Sequence, residues 1–128
     1  TTPEIGIYEI TPAGIDDPVF AFAGKTQVTQ WHEDLVSTLP AGAVTLASSP
    51  LCANQVYRFG PKSYAVQFHP EVDAAMVQDW EDHADRAFQT SGKSNIASEF
   101  LAAEENLYST WKPIIQRWGS LIATKENK

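Results

Sequence analysis

Two side chains in this sequence are spaced to handle a proton together. His69 and Glu71 flank Pro70 at the end of the apolar run Tyr64-Ala65-Val66-Gln67-Phe68. Proline has no N–H to donate and biases the residue before it toward extended backbone, so a strand entering at Tyr64 predicts an extended His69. In extended chain, residues two apart point to the same side. The imidazole and the carboxylate are therefore expected side by side, just past the carboxyl end of a strand, the edge at which open α/β sheets bind ligands. A carboxylate that accepts from one ring nitrogen fixes the tautomer and leaves the other nitrogen free to take a proton. It also favours the imidazolium that results. Such a pair lacks only a nucleophile within hydrogen-bond reach. The same spacing, taken by itself, also suits a surface ion pair or a turn contact.

The remaining chemistry-bearing residues form no comparable set. Each of the three histidines has an acid within two residues: His32 with Glu33 and Asp34, His69 with Glu71, His83 with Asp85. No His-x-x-x-His pair or cysteine pair accompanies them, so no metal site is expected. His83 reads as part of a solvated acidic helix face. Cys52 is the only cysteine, which rules out an intramolecular disulfide and fits a reducing compartment such as the cytoplasm. No glycines flank it, and it reads as a buried small hydrophobe rather than a nucleophile. A glycine-rich phosphate loop is missing, so no nucleotide cofactor is expected.

Charge narrows the choice of partner. Sixteen acids against nine bases give a net charge of −7 over 128 residues. A nucleic-acid binder needs clustered Lys and Arg to displace counterions from phosphates, and none is visible. Anionic membrane surfaces would repel the chain, and no apolar run is long enough to span a bilayer. A small-molecule or protein partner is left. Hydrophobic residues make up 43%, with four Trp, four Tyr and six Phe, enough for one compact core.

The elements that must position His69 and Glu71 follow from periodicity. Residues 4–10 alternate apolar and polar as a half-buried strand does, and Thr11-Pro12-Ala13-Gly14 supplies turn chemistry. Asp16-Asp17-Pro18 predicts a short helical turn before Gly24. Residues 25–31 alternate again, and Pro40-Ala41-Gly42 precedes the apolar run of residues 43–47. Residues 55–59 and 63–68 predict two strands joined at Gly60-Pro61-Lys62. Asp73 is a suitable N-cap for a helix whose apolar stripe is Met76, Val77, Trp80, Ala84, Ala87 and Phe88. A longer helical stripe follows: Ile96, Phe100, Ala103, Leu107, Trp111, Ile114, Trp118 and Leu121. Pro113 interrupts it and predicts a kink or a fresh helix start. The class is α/β: a β-rich first half with mixed or antiparallel strands, then two or three helices. No domain boundary interrupts residues 1–128.

Gln67-Phe68-His69-Pro70-Glu71, at the end of an apolar strand and before a helix, resembles the closing motif of class I glutamine amidotransferases. Other segments match in order: Glu4-Ile5-Gly6 with Ile10-Thr11, Asp17-Pro18-Val19-Phe20, Gln30-Trp31-His32-Glu33-Asp34, Leu39-Pro40-Ala41-Gly42-Ala43, Leu46-Ala47-Ser48-Ser49, and Cys52-Ala53-Asn54-Gln55 with Arg58-Phe59-Gly60. The similarity covers residues 4–88, and residues 95–123 form a further amphipathic helical segment. The resemblance implies part of a mostly parallel-sheet domain. His69 would be the general base and acid of a Cys-His-Glu triad, and Glu71 would orient it. The implied chemistry is thiolate attack on the side-chain amide of glutamine, then release of ammonia to a synthase or acceptor domain, without a cofactor. The family's nucleophile sits in a Gly-x-Cys-x-Gly elbow with the oxyanion hole beside it, and no such motif occurs in these residues. The chain alone is therefore expected to be inactive, as a separated part of a larger domain that hides exposed apolar surface by self-association. A non-catalytic interaction module on the same fold, docking through residues 96–121, and a part of a related γ-glutamyl hydrolase are the rival readings.

Overall fold

The structure is a computed structural model and describes residues 3–83 and 86–126. Five strands come first: β1 (Glu4–Pro12), β2 (Thr26–His32), β3 (Val44–Ser49), β4 (Cys52–Phe59) and β5 (Ser63–Val66). Helices α1 (Ala74–Asp82), α2 (Arg86–Ser91) and α3 (Ile96–Glu126) follow. The strands form one sheet in the order β2-β1-β3-β4-β5, and every pairing is antiparallel. This is the β-rich half followed by helices that the periodicity predicts.

Long β1 organises the sheet. Residues Glu4 to Ile10 pair with β2, with Ile5 opposite Trp31, and the strand then crosses to β3, where Thr11 and Pro12 face Ser48 and Ala47. The turn predicted at residues 11–14 thus begins later. Pro12 sits at the strand's last position, where its missing N–H costs no ladder bond, and Ala13 N donates to Leu46 O instead. No helical turn forms at residues 16–18 either. The Asp17 carboxylate accepts the amides of Val19 and Phe20, both at 2.9 Å, while those two side chains are drawn into the core. Arg58 and the Tyr64 hydroxyl also bind that carboxylate. Burial pushes the Asp17 carboxyl up, but these four donors outweigh it and hold it below the usual 3.8. Tyr64 is pushed up to about 12, by burial first and by Asp17 second.

At the other edge the sheet curls. Past β5, Gln67 N donates to Gln55 O on β4, and His69 N donates to Thr29 O on β2, both at 2.9 Å. The segment after the last strand therefore returns to the strand at the opposite end of the order.

One predicted helix is two. Asp73 caps α1 through the amide of Met76 as expected, but α1 stops at His83, whose amide bonds back to Asp79 O. Glu81 then turns its carboxylate to the start of α3, accepting from Asn95 N at 2.8 Å and Ala97 N at 2.9 Å. A carboxylate there satisfies orphan amides and complements the helix dipole. Of the predicted stripe, Val77 is buried, Trp80 and Phe88 pack against the core, and Met76 is exposed. Ala84 and the side chain of Ala87 lie outside the described residues.

α3 runs through Pro113 as one helix of 31 residues. The proline leaves only the Ser109 carbonyl without its i+4 donor, and Ser109 and Pro113 are both exposed to water. Ile96, Phe100, Leu107, Trp111 and Ile114 are buried as predicted, each contributing about 1.5–3 kcal/mol of apolar burial. Trp111 also donates its indole N–H to Gln27 O at 3.0 Å. Near its start, α3 is tied to the sheet by Glu99, whose Oε1 accepts from Ile7 N at 2.6 Å. The carboxylate reaches that amide through the space where a Cβ on residue 6 would sit, 2.8 Å from Oε1, and Gly6 adopts a φ of +122°.

Two outcomes follow. Gly6→Ala is expected to lose about 1–3 kcal/mol in a denaturant melt, since it meets both a disfavoured φ and the Glu99 oxygen. For Asp17, a lowered folded-state pKa means stabilisation that is present above 3.8 and is lost as pH falls through the lower folded value. Asp17→Asn should therefore melt below the wild type at neutral pH, with the difference narrowing under acid.

Candidate functional site

The residues singled out by type and spacing meet in space. His69 is held by its amide to Thr29 O, and the chain bends at residues 67–68 and turns at Pro70 and Glu71 instead of running on extended as the sequence predicts. Phe68 is buried against Trp111, with ring centroids 4.9 Å apart, and anchors the segment to α3. Regular strand pairing ends at Val66, two residues before the predicted end, because the chain is leaving β4 for β2 there. His69 Nδ1 lies 3.0 Å from Glu71 Oε2. The imidazole is about one-third exposed and the carboxylate just over half.

His69 Nε2 lies 3.2 Å from the carbonyl oxygen of Trp31. A neutral imidazole donates from one nitrogen only, so the Glu71 and Trp31 contacts are both hydrogen bonds only when both nitrogens carry protons. The ring packs edge-on to Trp80 at 5.0 Å, and Trp80 in turn meets Trp31 at 5.5 Å. Trp31 stacks on Phe88 at 5.3 Å. The Trp31 carbonyl and the Trp80 ring form the floor under the imidazole.

A cavity of about 860 Å³ opens beside this pair. One wall is His69, Pro70 and Glu71 with Thr29; the other is α3, through Tyr108, Trp111, Lys112 and Ile115. Such a volume matches small-molecule sites. Sequence reading named residues 96–121 only as an amphipathic stripe or docking segment and did not place them beside His69; Leu101, Tyr108 and Ile115, spaced by seven, were the available signal.

Cys52 takes no part in this cavity. It is buried at the start of β4, opposite Ser49. Burial pushes its thiol up and the nearby Glu4 adds to this, against a smaller opposing bond from the Asn54 amide. Glu4 itself is buried in a polar cluster. Gln55 Nε2 donates to its Oε1 at 3.0 Å and the Ser49 hydroxyl to its Oε2 at 3.2 Å. His32 Nε2 lies 3.1 Å from Glu4 Oε1, and its Nδ1 faces Asp34 O at 2.9 Å. Its Nε2–H does not line up with the carboxylate as a hydrogen bond. His83 is exposed, and the Asp79 carbonyl and then the Asp79 charge hold its imidazole above its ordinary value. Among the described residues, no group of three or more His, Cys, Asp or Glu side chains is arranged to hold a metal ion, and no helix is long and apolar enough to cross a membrane.

Comparison with known proteins finds relatives of the chain and of its fold. No protein-family model matches the chain. The chain is 31% identical over 114 residues to the glutamine-hydrolyzing GMP synthase of Christiangramia forsetii, covering 88% of this chain and 19% of that protein. A glutamine amidotransferase from Methylobacillus flagellatus superposes with a TM-score of 0.78 at 23% identity, over 93% of this chain and 53% of that one. Another, from Thermotoga maritima, gives 0.76 at 23% identity over 91% and 51%. The chain is homologous to part of the class I glutamine amidotransferase domain. It spans about half the length of these solved structures and about a fifth of the GMP synthase. The two structures show the shared fold, and the α/β arrangement described above is part of it.

The burial of Cys52 has a direct outcome. A thiol reagent should label the native protein at least about a hundredfold more slowly than the unfolded chain. Labelling at the rate of a free thiol would overturn its placement.

Proposed function

We propose that this chain supplies the histidine and the glutamate of a glutaminase site whose cysteine comes from a separate part of the domain. The observation that carries the reading is the 3.0 Å contact between His69 Nδ1 and Glu71 Oε2 at the rim of the cavity, in a chain homologous to amidotransferases. Glu71 accepts from Nδ1–H and fixes the tautomer, leaving Nε2 to exchange a proton with the nucleophile. In the assembled site, a thiol approaching Nε2 takes the place of the Trp31 carbonyl. The thiolate adds to the side-chain carbonyl carbon of glutamine. His69 returns the proton to the amide nitrogen as the C–N bond breaks, ammonia leaves, and a γ-glutamyl thioester remains. His69 then takes a proton from water as its oxygen attacks the thioester, and glutamate departs as the thiol re-forms.

The thiol and the oxyanion hole belong to a Gly-x-Cys-x-Gly elbow, a motif not found in these 128 residues. This chain alone is accordingly inactive in our reading. The ammonia passes to a synthase or acceptor domain, as the name of the GMP synthase relative suggests, in the cytoplasm and without a cofactor of the chain's own. Residues 4–88 carry the amidotransferase-like motifs of a single unit, the likeness to relatives runs on into α3, and α3 adds the second wall of the cavity.

The test supplies the elbow-bearing half of the domain, in trans or fused, and measures glutamate release from glutamine. His69→Ala should lower kcat by about a hundredfold to ten-thousandfold. Glu71→Gln should lower kcat with little change in KM, since it acts through the tautomer of His69. Cys52→Ser should leave turnover near that of the parent. Full activity in His69→Ala would end the proposal.

A further inference from the structure

α3 carries a second apolar stripe that the fold leaves open. Leu101, Tyr108 and Ile115 are 58%, 65% and 51% exposed. They step by seven residues, so they lie within about 40° of one another around the helix and span about 21 Å along it. Single exposed apolar residues are ordinary on a protein surface, but an aligned set on one helix face marks an interaction surface. Charges of opposite sign sit on the same face, with Glu104 four residues before Tyr108 and Lys112 four residues after it.

The order of these residues is self-complementary. When a second α3 lies antiparallel across a two-fold axis at Tyr108, each residue meets the one equally far on the other side. Leu101 then faces Ile115 of the copy, Glu104 faces Lys112, and Tyr108 faces Tyr108, with every unlike contact made twice by symmetry. A parallel pairing would instead set Glu104 on Glu104 and Lys112 on Lys112, which like charges oppose. The opposed signs therefore select one partner and one direction.

We infer that α3 is a homodimer surface, on which two copies of this chain pair antiparallel through Leu101, Tyr108 and Ile115 and are locked in register by two Glu104–Lys112 ion pairs. The inference names the surface and the symmetry of self-association and is independent of the glutaminase reading. Tyr108, Lys112 and Ile115 also wall the cavity beside His69, so pairing covers that wall.

Sedimentation velocity on the 128-residue chain, from low to high micromolar concentration, should show a reversible monomer–dimer equilibrium. Tyr108→Lys should weaken it at least about a hundredfold, as loss of a central aromatic contact does. Glu104→Lys and Lys112→Glu should each weaken it about tenfold, and the double swap should recover to within about threefold of the parent, because it restores both ion pairs. All three positions face solvent, and unchanged thermal melts will show that the variants fold. A monomer at every concentration, as expected if this face serves the elbow-bearing half instead, would overturn the inference. So would a dimer indifferent to Tyr108→Lys, or a double swap without recovery.

Discussion

The backbone hydrogen bond from His69 N to Thr29 O is the constraint on which the site rests. Pro70 cannot donate, so the His69 amide is the last in its run that can bind the sheet, and it binds β2, the strand farthest from β5 in the sheet order. That contact ties the segment after β5 to β2 and sets the imidazole beside the Trp31 carbonyl. Without it, the residues after β5 would be an edge loop, and His69 and Glu71 would form only an exposed ion pair of little energetic weight. With it, the turn at Pro70 and Glu71 brings imidazole and carboxylate together.

The inside of the curled sheet is unusually polar. Glu4, Gln30 and Gln55 are each at most 2% exposed, and Glu4 is bound by Gln55 and Ser49 from β4 and β3 and approached by His32 from β2. Bonds to a buried carboxylate are strong, and removing one member leaves the others unsatisfied. The cluster therefore fixes the mutual placement of four strands, whereas apolar side chains would tolerate sliding. The helical face of the same sheet is aromatic, with Trp31, Trp80 and Phe88 in contact and Phe68 on Trp111. One side of the sheet sets register, and the other supplies the bulk of the apolar burial.

What the sequence revealed and what it concealed divide along a physical line. Features set by local signals were legible: the hairpin at residues 60–62, the Asp73 cap and the stripe of α3 from Ile96 to Ile114, though Trp118 of that stripe is exposed; His69 and Glu71 do meet, but across a turn and not along extended chain. Features set by a side chain reaching far along the chain were not. Glu81 ends one helix region and starts another by capping amides 14 and 16 residues away. Asp17 captures amides that a helical turn would have used, because Arg58 and Tyr64 hold its carboxylate in place from β4 and β5. Thr29 and Trp31 contribute carbonyl groups to the site, and residue type carries no signal for a carbonyl's partner. Pro113 starts no fresh helix: α3 runs through it, and the Ser109 carbonyl that it strands belongs to a solvent-exposed residue.

α3 is fastened near both extremities rather than lying loosely across the sheet. Glu99 binds the amide of Ile7 on β1, and the Leu121 carbonyl accepts from Lys62 at the β4–β5 hairpin, where the Trp118 indole also donates to Lys62 O. A helix tethered in this way cannot fray from one end while the other stays docked. Its amides between the two tethers are therefore expected to open together with the sheet, so that their hydrogen-exchange protection follows the stability of the sheet more than helix propensity.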